Sequence, residues 1–189
     1  MSSAGPFDHY SRAVADFGRR VQAVRDDQWE LPTPSGDWDV LSVVAHVVLG
    51  ESQVPPLLAG DGVSAVATTD PGVLGPNPMA AWRGTALAAL EAVRAVGDMS
   101  LVVHHPLGDL TVETVVAVRV SENLVHGWDV ATALGADVTI DEEAAEWCLD
   151  LWRPVALDLA GTPHYGEPVE PPPDASAGVR LLALLGREI

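Results

Sequence analysis

The chain contains no lysine, and its ten basic residues, all of them arginines, are set against 27 aspartates and glutamates. The formal net charge at pH 7 is −17. A protein with this charge repels polyanions, and the sequence offers no basic stripe of the kind that binds phosphate groups. We therefore expect neither nucleic acid nor an anionic membrane as a partner.

Cysteine is almost absent, since Cys148 is the single one in the chain. One cysteine cannot form an intramolecular disulfide, which fits a reducing compartment. The first residues do not show the charged segment and apolar run of a secretory signal. The longest apolar run, residues 40–49, is interrupted by Ser42 and His46 and is too short to cross a bilayer. We expect a soluble, cytoplasmic protein.

Strand signals are scarce, whereas helix signals occur along most of the chain. Apolar residues at steps of three and four predict helices over about 6–27, 38–52, 77–96 and 111–134, and Asp141 begins a fifth helix with acidic residues in its first turn. Prolines and glycines predict a long surface loop over 54–78, with at most one helical turn at its start. The segment L-V-V-H-H-P-L-G-D-L predicts a short hairpin or an extended lead-in to the fourth helix.

These elements predict an all-α fold. We expect a four-helix bundle with a long loop after the second helix and an extra C-terminal helix. The length and the apolar content of 48% fit a single domain over 1–189. The bundle is expected over about 6–160, followed by a proline-rich tether and a short terminal helix over 161–189. Bundles with an exposed apolar face often pair, so a homodimer is a further prediction.

One polar pair interrupts the apolar stripe of the fourth predicted helix. Glu122 and His126 lie four residues apart and therefore project from one side of the helix, toward the core. A buried carboxylate needs a compensating partner, and a cation is one such partner. His46, in the middle of the apolar second helix, supplies a third donor. Two imidazoles and one carboxylate are typical of a metal site with open positions.

More ordinary interpretations of these residues stay open on the spacing alone. A glutamate and a histidine four residues apart often form a simple ion pair on a helix. A single histidine in an apolar helix is commonly a hydrogen-bonded core residue. Both patterns together, on buried faces of two helices, favour a metal site more than either pattern does alone.

Four further residues lie near the predicted site. Arg119 is a candidate catalytic residue that clamps a substrate carboxylate, or else forms a salt bridge with a glutamate on its own helix, Glu113 or Glu122. Asp129 is a candidate for orienting a ligand imidazole, or else a surface carboxylate. Trp38 and Trp128 flank the two motifs, where core packing is the first explanation and a cofactor-binding place at the pocket rim is the second.

The remaining histidines and the cysteine are predicted to have ordinary roles. The histidines expected to be exposed polar residues rather than ligands are His9, His104, His105 and His164. Cys148 lies among large apolar residues and is expected to be a small buried hydrophobe.

Two stretches resemble a known family. T-P-S-G-D-W-D-V-L-S-V-V-A-H-V (33–47) and E-N-L-V-H-G-W-D-V-A-T-A-L-G (122–135) are similar to motifs of the DinB-like superfamily, in the branch related to the mycothiol-dependent maleylpyruvate isomerase N-terminal domain. The ending L-L-A-L-L-G-R is similar to the tail of short actinobacterial members. The resemblance implies a four-helix bundle that holds a divalent metal, zinc first and nickel or iron otherwise, through His46, Glu122 and His126.

The same resemblance implies a reaction class. A metal with three protein ligands accepts a water or a thiolate and lowers the pKa of the group that it binds. The family implies mycothiol as that thiol, and therefore a transferase or isomerase acting on a small electrophile. The isomerase has an additional C-terminal domain that we do not expect here, so maleylpyruvate itself is not the expected substrate. The alternatives are a non-catalytic, metal-stabilised protein that binds a small molecule or a partner, a metal-dependent hydrolase, and a structural zinc site.

Overall fold

The structure is a computed structural model of the chain, and it describes residues 4–61, 63, 69–106, 108–153 and 167–189. The helices within these residues are α1 Pro6–Ala23, α2 Val40–Leu58, α3 Pro78–Val96, α4 Val112–Ala133, α5 Glu142–Trp152 and α6 Ala177–Leu184. A short 3₁₀ helix covers Pro71–Leu74, and an antiparallel hairpin pairs β1 Val102–His105 with β2 Gly108–Thr111.

The first four helices form a bundle around one apolar core. Helix α1 packs against α3 and α4, and α2 packs against the same two helices from the other side. Helix α5 then packs on α4, and α6 packs on α5. The predicted all-α fold is confirmed, and the hairpin supplies all the paired strand structure in the part of the chain that the structure describes.

Helix α2 is the most apolar of the long helices, and its buried residues, most of them valines, lie on several of its sides. Asp39 caps its first turn by accepting a hydrogen bond from the Ser42 N–H at 2.8 Å. The helix is long and apolar enough to cross a membrane by composition, but more than half of its residues are buried inside the bundle. Its apolar character is therefore explained by packing against α3 and α4.

Helix α2 extends six residues beyond its predicted end at Ser52. The prediction stopped there because Pro55 and Pro56 lack the N–H that a helix interior needs. The carbonyl groups of both prolines still accept hydrogen bonds, Pro55 from the Ala59 N–H and Pro56 from the Asp61 N–H. Burial of the apolar side chains Val54 and Leu57 holds this last turn in place.

Helix α4 agrees with its prediction to within one residue at each end. Thr111 caps it by accepting from the Thr114 N–H at 3.2 Å. Gly135 follows the helix with φ of +69°, a conformation that glycine adopts at no steric cost. Between these ends α4 contacts both α1 and α2, so side chains on opposite sides of one helix are buried.

Three of the histidines expected to be exposed lie within the described residues. His104 is exposed and pairs with Asp109 on the facing strand at 2.6 Å, as a polar surface residue does. The prediction is wrong for His9, which is 2% exposed and stacks on Trp147 at 5.1 Å between ring centroids. The error arose because His9 follows the start of α1, where the later docking of α5 was not visible. His105 is half-buried. His164 lies outside the described residues.

Cys148 is fully buried on α5, as predicted, and its thiol donates to the Ala117 carbonyl at 3.7 Å. Burial raises the pKa of this thiol to about 12. The thiolate is the reactive form, so the native protein should not react measurably with a disulfide reagent at pH 8. Ellman's reagent checks this, with the protein in denaturant as the control that must react fully. Rapid reaction of the folded protein would contradict the buried placement.

Candidate metal centre

Three donors from two helices converge at the centre of the bundle. His46 lies on α2, and Glu122 and His126 lie one turn apart on α4. The Nε2 atom of His46 is 2.9 Å from Oε2 of Glu122, and Nε2 of His126 is 3.3 Å from the same oxygen. One donor atom from each of the three residues lies within 4.8 Å of the others.

The separations between these donors suit a small divalent ion. Zinc binds nitrogen and oxygen at about 2.0–2.2 Å in a tetrahedral arrangement, which places two ligands roughly 3.3 Å apart. The separation of 3.3 Å from Glu122 to His126 equals that spacing, and the 2.9 Å from Glu122 to His46 is a hydrogen-bond length that would open by about 0.4 Å around an ion. Nitrogen and carboxylate donors suit zinc, nickel and iron, so the donor set does not choose one metal.

The tautomer of His126 supplies an independent test of the fit. Its Nδ1 atom lies 2.9 Å from Oδ2 of Asp129, an oxygen that only accepts, so Nδ1 carries the proton. The Nε2 atom of a neutral His126 then presents a lone pair to Oε2 of Glu122. The Nε2 lone pair and the Oε2 atom repel each other at this distance unless a cation or a second proton lies between them. The residues present therefore fit a divalent ion.

Burial and hydrogen bonding decide the charges within the cluster. Burial alone raises the pKa of Glu122, but hydrogen bonds from His126 and His46 outweigh it and hold that pKa well below its usual range. Burial lowers the pKa of His46 and favours its neutral, ligating form. The opposite holds for His126, because hydrogen bonds to Asp129 and Glu122 raise its pKa in spite of burial. A proton on His126 relieves the repulsion that a metal ion would also relieve.

Asp129 connects the cluster to the C-terminal segment. Its carboxylate is fully buried and bonds to Arg187, with Nε at 3.0 Å from Oδ1 and Nη2 at 2.8 Å from Oδ2. Burial raises the pKa of Asp129, but the bonds to His126 and Arg187 lower it further than burial raises it. Arg187 also reaches the Ser35 hydroxyl at 3.2 Å, which brings the loop before α2 into the same network.

Comparison with known proteins gives this arrangement a family. The model of the mycothiol maleylpyruvate isomerase N-terminal domain matches residues 10–131, which is more than half of the chain. The chain belongs to this family. The matched range contains His46, Glu122, His126 and Asp129 but not Arg187.

Relatives and solved structures agree with the family. Two uncharacterized proteins of Mycobacterium tuberculosis, from strains CDC 1551 / Oshkosh and ATCC 25618 / H37Rv, are each 30% identical in an alignment 191 positions long, which covers 97% of this chain and 98% of theirs. Two crystal structures of the mycothiol-dependent maleylpyruvate isomerase, one of a histidine-to-alanine mutant, match with TM-scores of 0.61 and 0.62 at 15% and 16% identity. They cover 84% of this chain and 70% of that enzyme, and the predicted resemblance is confirmed.

Of the two tryptophans predicted to line the site, Trp38 contacts the candidate ligands, whereas Trp128 packs against the core. Trp38 lies against both histidines, at 4.8 Å from His46 and 6.0 Å from His126 between ring centroids. The Nδ1 atom of His46 is buried and has no hydrogen-bond partner in the described part of the chain, so the Nε2 contact with Glu122 and the packing against Trp38 hold this ring. Trp128 is half-buried and packs against the hydrophobic core. Its predicted contact with a cofactor stays a prediction.

Arg119 belongs to a second buried network beside the metal cluster. Its Nε and Nη2 atoms both donate to Oε1 of Glu51 at 3.2 Å, so the partner is neither Glu113 nor Glu122. Glu51 is fully buried and also accepts from the Tyr10 hydroxyl and from the Asn123 amide. Opposite charge from Glu51 and Glu122 raises the pKa of Arg119 in spite of burial. The predicted contact of Arg119 with a substrate carboxylate stays a prediction.

Gly50 makes room for this network on α2. A Cβ atom there would lie 2.3 Å from Nη1 and 2.6 Å from Cζ of Arg119, so the guanidinium would have to leave Glu51. We expect Gly50→Ala to lower the free energy of unfolding by about 1–3 kcal/mol. Gly84→Ala on α3 is the matched control, since nothing lies within 4 Å of its added Cβ. In a helix interior that change should be neutral or add up to about 1 kcal/mol. Urea denaturation measures the unfolding free energy of both variants, which should fall only for Gly50→Ala. A Gly50→Ala variant as stable as wild type would contradict the close approach of Arg119 to Gly50.

Sequence reasoning missed Glu51 and Arg187, which complete the surroundings of the site in this family member. Glu51 carries a weak signal, because a carboxylate one turn beyond His46 in the most apolar helix needs a buried partner. Arg187 ends the stretch L-L-A-L-L-G-R, whose similarity to the tail of family members assigns no role to this residue, and an arginine after a terminal helix is ordinarily solvated, so its role was not predicted.

Proposed function

We propose that this chain binds a divalent metal ion, zinc by preference, through His46, Glu122 and His126. We propose further that it uses the ion, with mycothiol as the thiol, to transfer or isomerise a small electrophilic molecule. The observation that carries the proposal is the convergence of two imidazoles and one carboxylate within 4.8 Å, with His126 oriented for ligation by Asp129. The family, and the solved structures of a mycothiol-dependent maleylpyruvate isomerase that resemble this fold, support the choice of thiol.

The charges around the site favour an anionic fourth ligand. Within the described residues, the two fully buried carboxylates outside the proposed ligand set are each matched by an arginine, Glu51 by Arg119 and Asp129 by Arg187. Glu122 is then the carboxylate of this cluster that offsets the charge of the ion. A divalent ion with neutral histidines would therefore leave one positive charge, which a thiolate neutralises. When bound, the ion lowers the pKa of a thiol or water that reaches it.

The side chains around the ligands have distinct tasks in this proposal. Asp129 accepts a hydrogen bond from the Nδ1–H of His126 and so keeps the Nε2 lone pair available. Trp38 covers one side of both imidazoles and excludes water there. The three proposed ligand side chains keep between 8% and 14% of their surface exposed, so the cluster is largely shielded from water but still reaches solvent.

The cellular setting is part of the proposal. We propose a soluble cytoplasmic protein in which 1–189 form one domain. The fold supports solubility, because the apolar helix α2 is largely covered by the bundle. The predicted homodimer stays a prediction.

Thiol-dependent turnover is the direct test. Zinc-loaded protein is incubated with mycothiol and a panel of small α,β-unsaturated acids and other electrophiles, and isomerised or thiol-bearing products are followed by mass spectrometry and NMR. We expect turnover that requires both zinc and mycothiol and that His46→Ala abolishes. His104→Ala, a change of the same kind on the exposed hairpin, should leave turnover unchanged.

Other outcomes separate the alternatives. Hydrolysis of esters or amides without any thiol would replace the thiol chemistry by metal-activated water. Tight binding of zinc and of mycothiol with no turnover would indicate a binding protein. Zinc that resists exchange and binds no further ligand would indicate a structural site.

A further inference from the structure

The C-terminal segment contributes an arginine to the surroundings of the candidate metal centre. Arg187 follows Gly186, whose φ of +81° reverses the chain after α6. From there its guanidinium reaches both oxygens of Asp129 on α4 and the hydroxyl of Ser35 before α2. The segment after α6 thus touches the two regions of the chain that carry the predicted ligands.

The carboxylate of Asp129 depends on Arg187. Asp129 is fully buried, and such a group needs a charged, hydrogen-bonding partner. The planar guanidinium donates to both oxygens at once, which fixes the plane of the carboxylate as well as its charge. The orientation of that plane sets the direction from which Oδ2 accepts the hydrogen bond of the His126 Nδ1–H group.

The backbone around α6 holds Arg187 where this contact requires it. The Arg187 N–H donates to the Leu182 carbonyl at 2.9 Å, and Nη1 donates to the Leu185 carbonyl at 2.9 Å. Leu181 and Leu182 are buried, which anchors α6. The Arg187 side chain keeps 13% of its surface exposed, so it is tied into the structure and is not a loose surface group.

We propose that Arg187 is a positioning residue of the metal centre: it holds the Asp129 carboxylate so that His126 is fixed as an Nδ1–H tautomer with Nε2 free to bind metal. The proposal rests on the proposed metal site, but not on the proposed thiol chemistry. The segment after α6 then belongs to the surroundings of the site, although Arg187 lies outside the range that the family model matches.

Metal affinity measures the effect. Zn²⁺ and Co²⁺ dissociation constants are obtained by competition with a chromophoric chelator for wild type, Arg187→Ala and Arg187→Lys. Loss of a partner that orients a ligand costs about 10–100-fold in metal affinity, and we expect that loss for Arg187→Ala. Lysine restores the charge but not the two-pronged contact, so recovery should be partial. The visible absorption of bound Co²⁺ should also change in Arg187→Ala.

Two comparisons separate positioning from simple stabilisation. In an Asp129→Asn background, Arg187→Ala should cause little further loss of affinity, because Arg187 acts through Asp129. Arg180→Ala, which removes an arginine of α6 paired with Glu146, is the matched control and should leave affinity unchanged. An Arg187→Ala protein that melts earlier yet binds Co²⁺ with wild-type affinity and spectrum would overturn the proposal.

A readout without metal keeps this test distinct from that of the metal site. In metal-free protein the Nδ1 proton of His126 should give a low-field NMR signal protected from exchange by its bond to Asp129. Arg187→Ala should shift this signal and expose it to exchange, whereas Arg180→Ala should not. If wild type binds no metal but the signal responds in this way, the metal site fails and the positioning stands. An unchanged signal in Arg187→Ala overturns the positioning.

Discussion

Replacing His126 by alanine should weaken the binding of Zn²⁺ by more than about 100-fold, since even the loss of a partner that only orients a ligand costs about 10–100-fold. The variant loses one of three converging donors and leaves Glu122 with the single imidazole of His46. It also leaves the Asp129 carboxylate with Arg187 alone. Competition with a chromophoric chelator measures the dissociation constant.

Two controls make this result specific. His104→Ala removes an exposed histidine that pairs with Asp109, and its affinity for zinc should equal that of wild type. His126→Gln keeps much of the side-chain volume, so a loss shared by both His126 variants is not the result of a cavity. Wild-type affinity in either His126 variant would show that zinc binds elsewhere.

Replacing Glu51 by alanine should lower the free energy of unfolding by about 3–5 kcal/mol, because it leaves Arg119 buried without its counter-ion. The side chain of Arg119 is 11% exposed, and that of Glu51 is fully buried. The change also removes the acceptor of the Tyr10 hydroxyl and of the Asn123 amide. A loss of this size is a large share of the roughly 5–15 kcal/mol that stabilises a typical domain.

Urea denaturation of metal-free protein measures this effect apart from any bound ion. The matched control is Glu146→Ala, which removes an acid paired with Arg153 and Arg180 on the surface and should leave the midpoint almost unchanged. A double variant with Glu51→Leu and Arg119→Leu should be more stable than Glu51→Ala, since no unpaired charge stays buried. Equal effects of the two single glutamate changes would contradict the buried network.

The convergence of the ligand set could be predicted because helix geometry is local and regular. A spacing of four residues fixes Glu122 and His126 on one side of α4 whatever surrounds the helix. The valines around His46 show that its helix is buried on most sides. A buried carboxylate needs a compensating partner, and the two histidines on these helices were the donors that the spacing placed nearest to Glu122.

The contacts that cross between distant segments could not be predicted in the same way. Arg119 was expected to pair with a neighbour on its own helix, but its partner is 68 residues away on α2. Asp129 and Arg187 are 58 residues apart and meet only because α6 docks on α5. Such pairings depend on how the helices pack against one another, and the periodicity within one helix gives no information about that packing.

The central claim is that His46, Glu122 and His126 hold one divalent ion, and a crystal of zinc-loaded protein measured on both sides of the zinc absorption edge tests it most directly. We predict one anomalous peak per chain at about 2.0–2.2 Å from a donor atom of each of the three residues. A crystal in which these side chains point apart, or in which the peak lies on other residues, would contradict the account.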